Sequence, residues 1–303
     1  MHRHDVVTFL DDSFRVNDLE ADPAFSRFVP MVYDPIDFDW QGVFESEFSL
    51  RFNGLMLRGD SEVGKIWCIS FPSAETLDEI MGQARPGDLI FSHHPIDMRC
   101  GDPRGEKGEG FIPIAPERIQ RLCEDGLSFY SCHVPLDIHP EMSTSDALAR
   151  AIGGKVIKPF FPIGAGCAGR LCEVAPIVLD QLAERCCGVV GIPYADIQGD
   201  RNAGRVRRVA VIAGGGGDVT FYQAADHLAA DCLIAGEVTS KIDNDIGRRK
   251  QAEIERYLST AKLAAIGVSH AGSEFLVMKE LAPLLRRELD ISAEAVAETN
   301  WWR

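Results

Sequence analysis

Four of the eight histidines in this chain fall at three places where a metal ligand would be useful. His93 and His94 are adjacent and are followed by Pro95, while His133 precedes Asp137, and His270 precedes Glu274, by four residues each. Positions i and i+4 lie on one side of an extended strand and also on one face of a helical turn, so each His–carboxylate pair can reach a single centre. Adjacent histidines would point to opposite faces of a continuing strand, but Pro95 breaks the strand and frees both rings. Four imidazoles and two carboxylates exceed the roughly three protein ligands of a catalytic zinc. They suit two ions with about three ligands each and a bridging water, a geometry in which ions ~3.5–4 Å apart clamp both attacking and leaving atoms. Nitrogen and oxygen donors without a thiolate favour Zn, Mn, Fe, Co or Ni. Taken singly, each residue has a plainer role: a histidine at a strand end is usually hydrogen-bonded, Asp137 can stabilise a turn, and Glu274 can complement a helix N-terminus. Three ligand sets at equivalent chain positions carry the metal reading.

The elements that must position these residues alternate between strands and helices. Lys65–Phe71 (KIWCISF) is β-branched and aromatic, as a strand requires, and Ser73 can cap a helix whose apolar residues recur at helical spacing to Ala84. Residues 89–92 form the next strand, with His93-His94-Pro95 at its carboxyl end, and a loop of glycines and charges (CGDPRGEKGEG) follows. Pro116 opens a helix that Gly126 ends, LSFYSC is a strand leading to His133, and Ser143 with Asp146 forms a capping box for another helix. The second half repeats this order. A strand over 206–213, a helix over 219–230, a strand over 232–235 ending at Gly236-Glu237, a helix over 250–262 and a strand over 263–268 lead to His270, Glu274 and a C-terminal helix. Lys65 to His133 spans 68 positions and Val206 to His270 spans 64, and both stretches end in His-x-x-x-acid before a helix. This is an internal duplication of a β-α-β-α-β unit, which makes the fold class α/β with mostly parallel mixed sheets covered by helices. In open α/β sheets, ligands collect at the carboxyl ends of strands, where all three sets lie.

Composition narrows the function classes. The formal charge of −15 argues against a nucleic-acid footprint, which needs clustered Lys and Arg. The start, MHRHDVVTFLDDSF, lacks the apolar core of a secretion signal, and no apolar run is long enough to span a membrane, so the expectation is a soluble cytoplasmic protein. The nine cysteines show no C-x-x-C pair, and reduced, structural cysteines are expected. The glycines at 214–217 could cradle phosphate at a helix N-terminus, but they lack the lysine of a P-loop and read better as a tight turn. The loop at 101–110 could be a mobile lid or merely solvated, and His139 reads as a loop histidine.

The segments LIFSHHP, SCHVPLD, VAVIAGGGGD, LIAGEV and GVSHAGSE, in this order, resemble the Nif-three-like dinuclear-metal family, many of whose members carry the name GTP cyclohydrolase 1 type 2. The likeness runs from about Asn53 to Leu289. It implies two intertwined α/β repeats with a two-metal site between them, ligated by His93, His94, His133, Asp137, His270 and Glu274, and assembly into a ring-shaped homohexamer. The chain then divides into an N-terminal helix and an irregular arm, punctuated by Pro23, Pro30 and Pro35, over residues 1–52, a first repeat over 53–165 and a second over 166–303. Two departures stand out: Cys167 occupies the arginine place of a glycine-rich stretch, with Arg170 nearby, and Ser240-Lys241 stands where the family often has a histidine after Gly236-Glu237.

The function these readings imply is a metal-dependent hydrolase acting on a nucleotide or other small substrate, with the bridging water as nucleophile. Glu237, at the repeat equivalent of the His93-His94 position, is the candidate base. The rival is a non-enzymatic metal-binding or metal-sensing hexamer that works through protein partners; a site open to solvent favours catalysis and a closed one favours the rival.

Overall fold

Alternating apolar strands and amphipathic helices generate two mixed sheets, each in its own compact unit, in a computed structural model that describes residues 1–200 and 204–302. The first unit comprises residues 1–98, 111–139 and 278–299; the second comprises 99–110, 140–277 and the C-terminal residues from Asn300. A late segment thus returns to the first unit, and a short early one joins the second.

The first unit starts with α1 (Arg3–Phe14), α2 (Phe25–Tyr33), α3 (Trp40–Val43) and α4 (Ser46–Arg51). Where the prolines suggested an irregular arm after one helix, the chain is largely helical, because the segment carries aromatic residues at spacings that bury them. Phe25, Tyr33, Trp40, Phe44, Phe48 and Phe52 all belong to the core of this unit. Then come β1 (Gly54–Leu57), β2 (Lys65–Ile69), α5 (Ala74–Met81) and β3 (Leu89–Ser92). Ser73 caps α5 by accepting the Thr76 N–H at 3.2 Å. The loop expected after His94 is instead a two-stranded ribbon, β4 (Asp97–Gly101) with β5 (Lys107–Ile112), whose residues 99–110 belong to the second unit. Pairing satisfies its backbone, which the abundance of glycine and charge had obscured. The chain continues through α6 (Pro116–Glu124), β6 (Ser128–Ser131) and the single-turn α7 (Val134–Asp137), and β13 (Ser292–Ala295) closes the sheet. Strand order is β1-β6-β3-β2-β13, and only the β1–β6 pair is antiparallel. Every residue of β3 and β6 is buried, as parallel strands covered on both faces require.

The second unit contains α8 (Thr144–Ala151), β7 (Lys155–Ile163), β8 (Gly166–Val178), α9 (Leu179–Val190), β9 (Asp196–Gly199), β10 (Arg205–Gly215), α10 (Val219–His227), β11 (Cys232–Glu237), α11 (Asp245–Leu258), β12 (Ala264–Gly267) and the start of α12 (His270–Leu289). The predicted capping box at Ser143 and Asp146 is present. The sheet order is β7-β8-β10-β11-β12-β9, parallel across β10-β11-β12 and antiparallel elsewhere. The duplicated units β2-α5-β3-α6-β6 and β10-α10-β11-α11-β12 thus share a topology, with the second strand between the first and third in both. No helix among the described residues is long and apolar enough to cross a membrane.

Phe48 is fully buried, with its ring between those of Phe44 and Phe52 at centroid distances of 5.8 and 6.0 Å. Phe48→Ala is expected to destabilise the chain by about 3–5 kcal/mol, read from the midpoint of denaturant unfolding; a change below about 1 kcal/mol would mean that the N-terminal helices are not part of this core.

Candidate metal centre

In the first unit, the ladder between β3 and β2 persists through the two histidines: the His93 and His94 N–H groups donate to the carbonyls of Ile69 and Ser70, each at 3.0 Å. Both rings are buried, with 0% and 1% exposure. The His93 ring uses Nδ1 on the Cys132 carbonyl at 2.8 Å, which assigns the proton to Nδ1 and leaves Nε2, 3.5 Å from Asp137 Oδ1, with its lone pair. His94 lies face to face with Phe71 at 3.9 Å, and Phe25 sets its edge against both His94 and His133. Rotation of these rings is therefore restricted by packing.

His133 is the N-cap of α7, whose single turn brings Asp137 round to the same side. Its N–H donates to Asn53 Oδ1 at 2.7 Å, its Nδ1 pairs with Asp22 Oδ2 at 2.7 Å, and its Nε2 is 3.7 Å from Asp137 Oδ2. Asp22 is itself buried; burial alone would raise its carboxyl pKa, but His133 and the N–H groups of Phe25 and Ala24 outweigh that and hold it well below the usual range. One ring nitrogen from each of His93, His94 and His133 lies within 4.8 Å of the others.

The second unit uses a similar device. His270 opens α12 and Glu274 follows one turn later, with His270 Nε2 at 3.0 Å from Glu274 Oε1 and His270 Nδ1 at 2.9 Å from Glu237 Oε2. Burial would lower the His270 pKa, but Glu274, Cys100 and Glu237 together carry it well above its ordinary value. Burial, and next Glu237, push the Cys100 thiol up to about 12. The glycines at the strand ends make room for α12. A Cβ on Gly214 would stand 2.1 Å from Glu274 Oε1 and 3.0 Å from His270 Nε2, and one on Gly236 would stand 2.8 Å from the His270 Cα. The Gly214 and Gly215 residues extend β10, and Ser273 Oγ accepts the Gly214 N–H at 2.9 Å, so this stretch positions the His270–Glu274 turn.

The donor sets fit a borderline divalent ion. His133 and His270 each commit Nδ1 to a carboxylate and aim Nε2 at the acid four residues on, which is the arrangement that orients a metal-ligating imidazole. Within the first unit the structure brings together His93, His94, His133 and Asp137, and within the second His270, Glu274 and Glu237. His139 sets its ring edge-on to Phe14. Arg170 is buried against Asp146, its Nε and Nη2 each 2.8 Å from a carboxylate oxygen. Lys241 pairs with Asp196 at 3.4 Å. Sequence reasoning missed Asp22, Asn53 and Cys100. Asp22 stands 111 positions from His133, and nothing local marks such a pairing; Cys100, seven residues after His93 in a loop-like stretch, carries no ligand spacing.

Gly214 has φ of +73°, so Gly214→Ala places a side chain both in an unfavourable backbone region and against Glu274. The substitution is expected to cost about 2 kcal/mol or more in unfolding free energy; wild-type stability would show that the Glu274 carboxylate is not held where it is found.

Comparison with known proteins agrees with this architecture. The chain is 26% identical over 245 residues to a GTP cyclohydrolase 1 type 2 homolog of Pyrococcus horikoshii, covering 79% of this chain and 86% of the relative. A protein of the same name from Deinococcus radiodurans is 29% identical over 198 residues, covering 64% and 69%. Among solved structures, protein ybgI superposes with a TM-score of 0.69 at 20% identity, covering 99% of this chain and 100% of that one. A Bacillus cereus protein related to NIF3 gives 0.60 at 13% identity, with coverage of 86% and 94%. These two likenesses concern the fold. The family model described as Duf34/NIF3 (NGG1p interacting factor 3) matches residues 45–300, and the chain belongs to that family.

Proposed function

We propose that this chain is a dinuclear-metal-dependent hydrolase, with His93, His94, His133, Asp137, His270 and Glu274 as its metal ligands. The observation that carries the reading is the repeated device in the two units: an imidazole with Nδ1 on a carboxylate and Nε2 toward the acid four residues later. When bound, two ions would lower the pKa of a water between them and polarise the electrophile. The chain's own residues do the rest. Asp22 and Glu237 fix the tautomer and orientation of His133 and His270. Glu237 Oε1 is buried and makes no hydrogen bond among the described residues, so it is the oxygen we assign to accept a proton from the attacking water. His133 and Asp137 keep 16% and 19% of their side chains exposed, which gives a small substrate an approach and favours catalysis over a closed carrier site.

The substrate class follows the relatives' names: GTP or a similar nucleotide, hydrolysed at a ring carbon or at phosphorus. The same reading has the chain assemble as a homohexamer. The exposed apolar side chains of Met31, Ile36, Val43 and Leu50 on the N-terminal helices supply surface for such contacts.

Elemental analysis of the purified protein, prepared without chelator, tests the ligand assignment. About two transition-metal ions per chain are expected in the wild type, with fewer in His94→Ala and in Glu274→Ala, and GTP consumption by the loaded protein should stop in both. Full stoichiometry in both variants would overturn the assignment, and loaded wild type that leaves GTP and phosphoesters untouched would favour the non-enzymatic alternative. Asp22→Ala should keep the ligands yet weaken metal retention about 10–100-fold in a competitive chelator titration; unchanged retention would remove Asp22 from any role in orienting His133.

A further inference from the structure

Cys100 stands apart from the other eight cysteines. Cys100 is buried, as are Cys68, Cys132, Cys172, Cys186 and Cys232, but among the described residues only Cys100 shares a group of three close metal-competent donors. Its Sγ, a Glu237 carboxylate oxygen and a His270 ring nitrogen all lie within 4.8 Å of one another, inside the second unit. The ribbon that carries Cys100 is held firmly within that unit. Gly108 donates to the Lys241 carbonyl at 3.0 Å and accepts from the Asp243 N–H at 2.9 Å, Asp102 accepts the Tyr194 hydroxyl at 2.7 and 2.6 Å, and Lys107 lies 3.7 Å from Asp243. A Cβ on Gly101, the residue after Cys100, would meet the Gly108 backbone nitrogen at 2.4 Å, so the two strands pack as closely as backbone allows. The thiol is therefore delivered by a pinned hairpin and not by a wandering loop. A second observation points to a ligand: Glu237 Oε1 is buried at this cluster and has no hydrogen-bond partner among the described residues, which in a folded interior calls for a cation or a donor not supplied by the chain.

We infer that Cys100, Glu237 and His270 form a thiolate-containing site for a soft or borderline divalent cation, adding a sulfur donor to the His270 side of the centre proposed above. The inference rests on that proposal to the extent that His270 is a metal ligand. Binding forms a cation–sulfur bond and releases the thiol proton to solvent, with no change of oxidation state. A sulfur donor moves selectivity away from manganese and toward cobalt, zinc and cadmium, relative to the six nitrogen and oxygen donors alone. Glu237 then keeps Oε2 on His270 Nδ1 and turns Oε1 toward the cation, so with this site filled Oε1 is a ligand in place of the proton acceptor assigned above.

The test is absorption spectroscopy of the full chain loaded with Co(II), beside Cys100→Ser and Cys100→Ala, with cobalt content measured in parallel. The wild type should show a sulfur-to-cobalt charge-transfer band in the near ultraviolet. Both variants should lose it while keeping visible ligand-field bands from nitrogen and oxygen donors, and their Cd(II) affinity should fall about tenfold or more. Circular dichroism and thermal unfolding of each variant identify one that has failed to fold; the other then carries the comparison, and the presence or absence of the band in the wild type gives a reading that needs no variant. Cobalt bound at wild-type stoichiometry with no charge-transfer band, or a band that survives both substitutions, would overturn the site while leaving the six-ligand centre standing. A wild type that binds no cobalt at all would overturn the metal reading itself and this site with it.

Discussion

The hydrogen bond between a buried carboxylate and the far nitrogen of a histidine is the interaction on which the rest of this structure depends. It occurs twice, Asp22 with His133 and Glu237 with His270, at 2.7 and 2.9 Å. A carboxylate removed from water is costly unless its oxygens are satisfied. Asp22 meets that condition by accepting, on its other oxygen, the N–H groups of Ala24 and Phe25 at 2.9 and 3.0 Å, at the start of α2. One side chain thus begins a helix and orients an imidazole. The N-terminal helices are consequently part of the site's support as well as of the first unit's core.

The two repeats reach comparable chemistry by different local means. In the first, a single-turn helix after β6 carries His133 and Asp137, and the adjacent His93-His94 pair sits at the end of β3. In the second, α12 begins at His270 itself and runs for 20 residues, and the end of β11 offers Glu237 where the first repeat offers imidazoles. The orienting partner also differs. Asp22 comes from outside the repeated segment, whereas Glu237 comes from the strand next to β12. Duplication preserved the strand order and the His-x-x-x-acid spacing, and each unit then found its own carboxylate.

Close backbone approach is the second constraint. The first turn of α12 can lie against the ends of β10 and β11 only because Gly214 and Gly236 have no side chains; a Cβ at either would overlap atoms of His270, Ser273 or Glu274. The glycine run that might have been a phosphate cradle is therefore explained by what it lets in. Ser269, in a left-handed conformation at φ 75°, bends the chain before the helix, and its hydroxyl accepts the Gly272 N–H at 3.1 Å. The polar groups exposed by that bend are satisfied locally, as a buried turn demands.

Residue type and spacing alone determined the α/β class, the repeated element order and the placing of histidines and acids at three strand ends, because alternation of apolar residues, capping signals and i,i+4 offsets are local properties. The same local signals mistook residues 101–110 for a loop and the segment after α1 for an irregular arm: glycine and charge in one, and prolines in the other, obscured a ribbon and three further helices. Only the tertiary structure decided which carboxylate meets which imidazole, that Cys100 joins His270 and Glu237, and that Arg170 is occupied by Asp146. Those pairings span from 24 to 170 positions of chain, and they are set by which strands and helices pack together. No pattern read along one sequence carries that information, since the partners are neighbours in space through the packing of elements that each look complete alone.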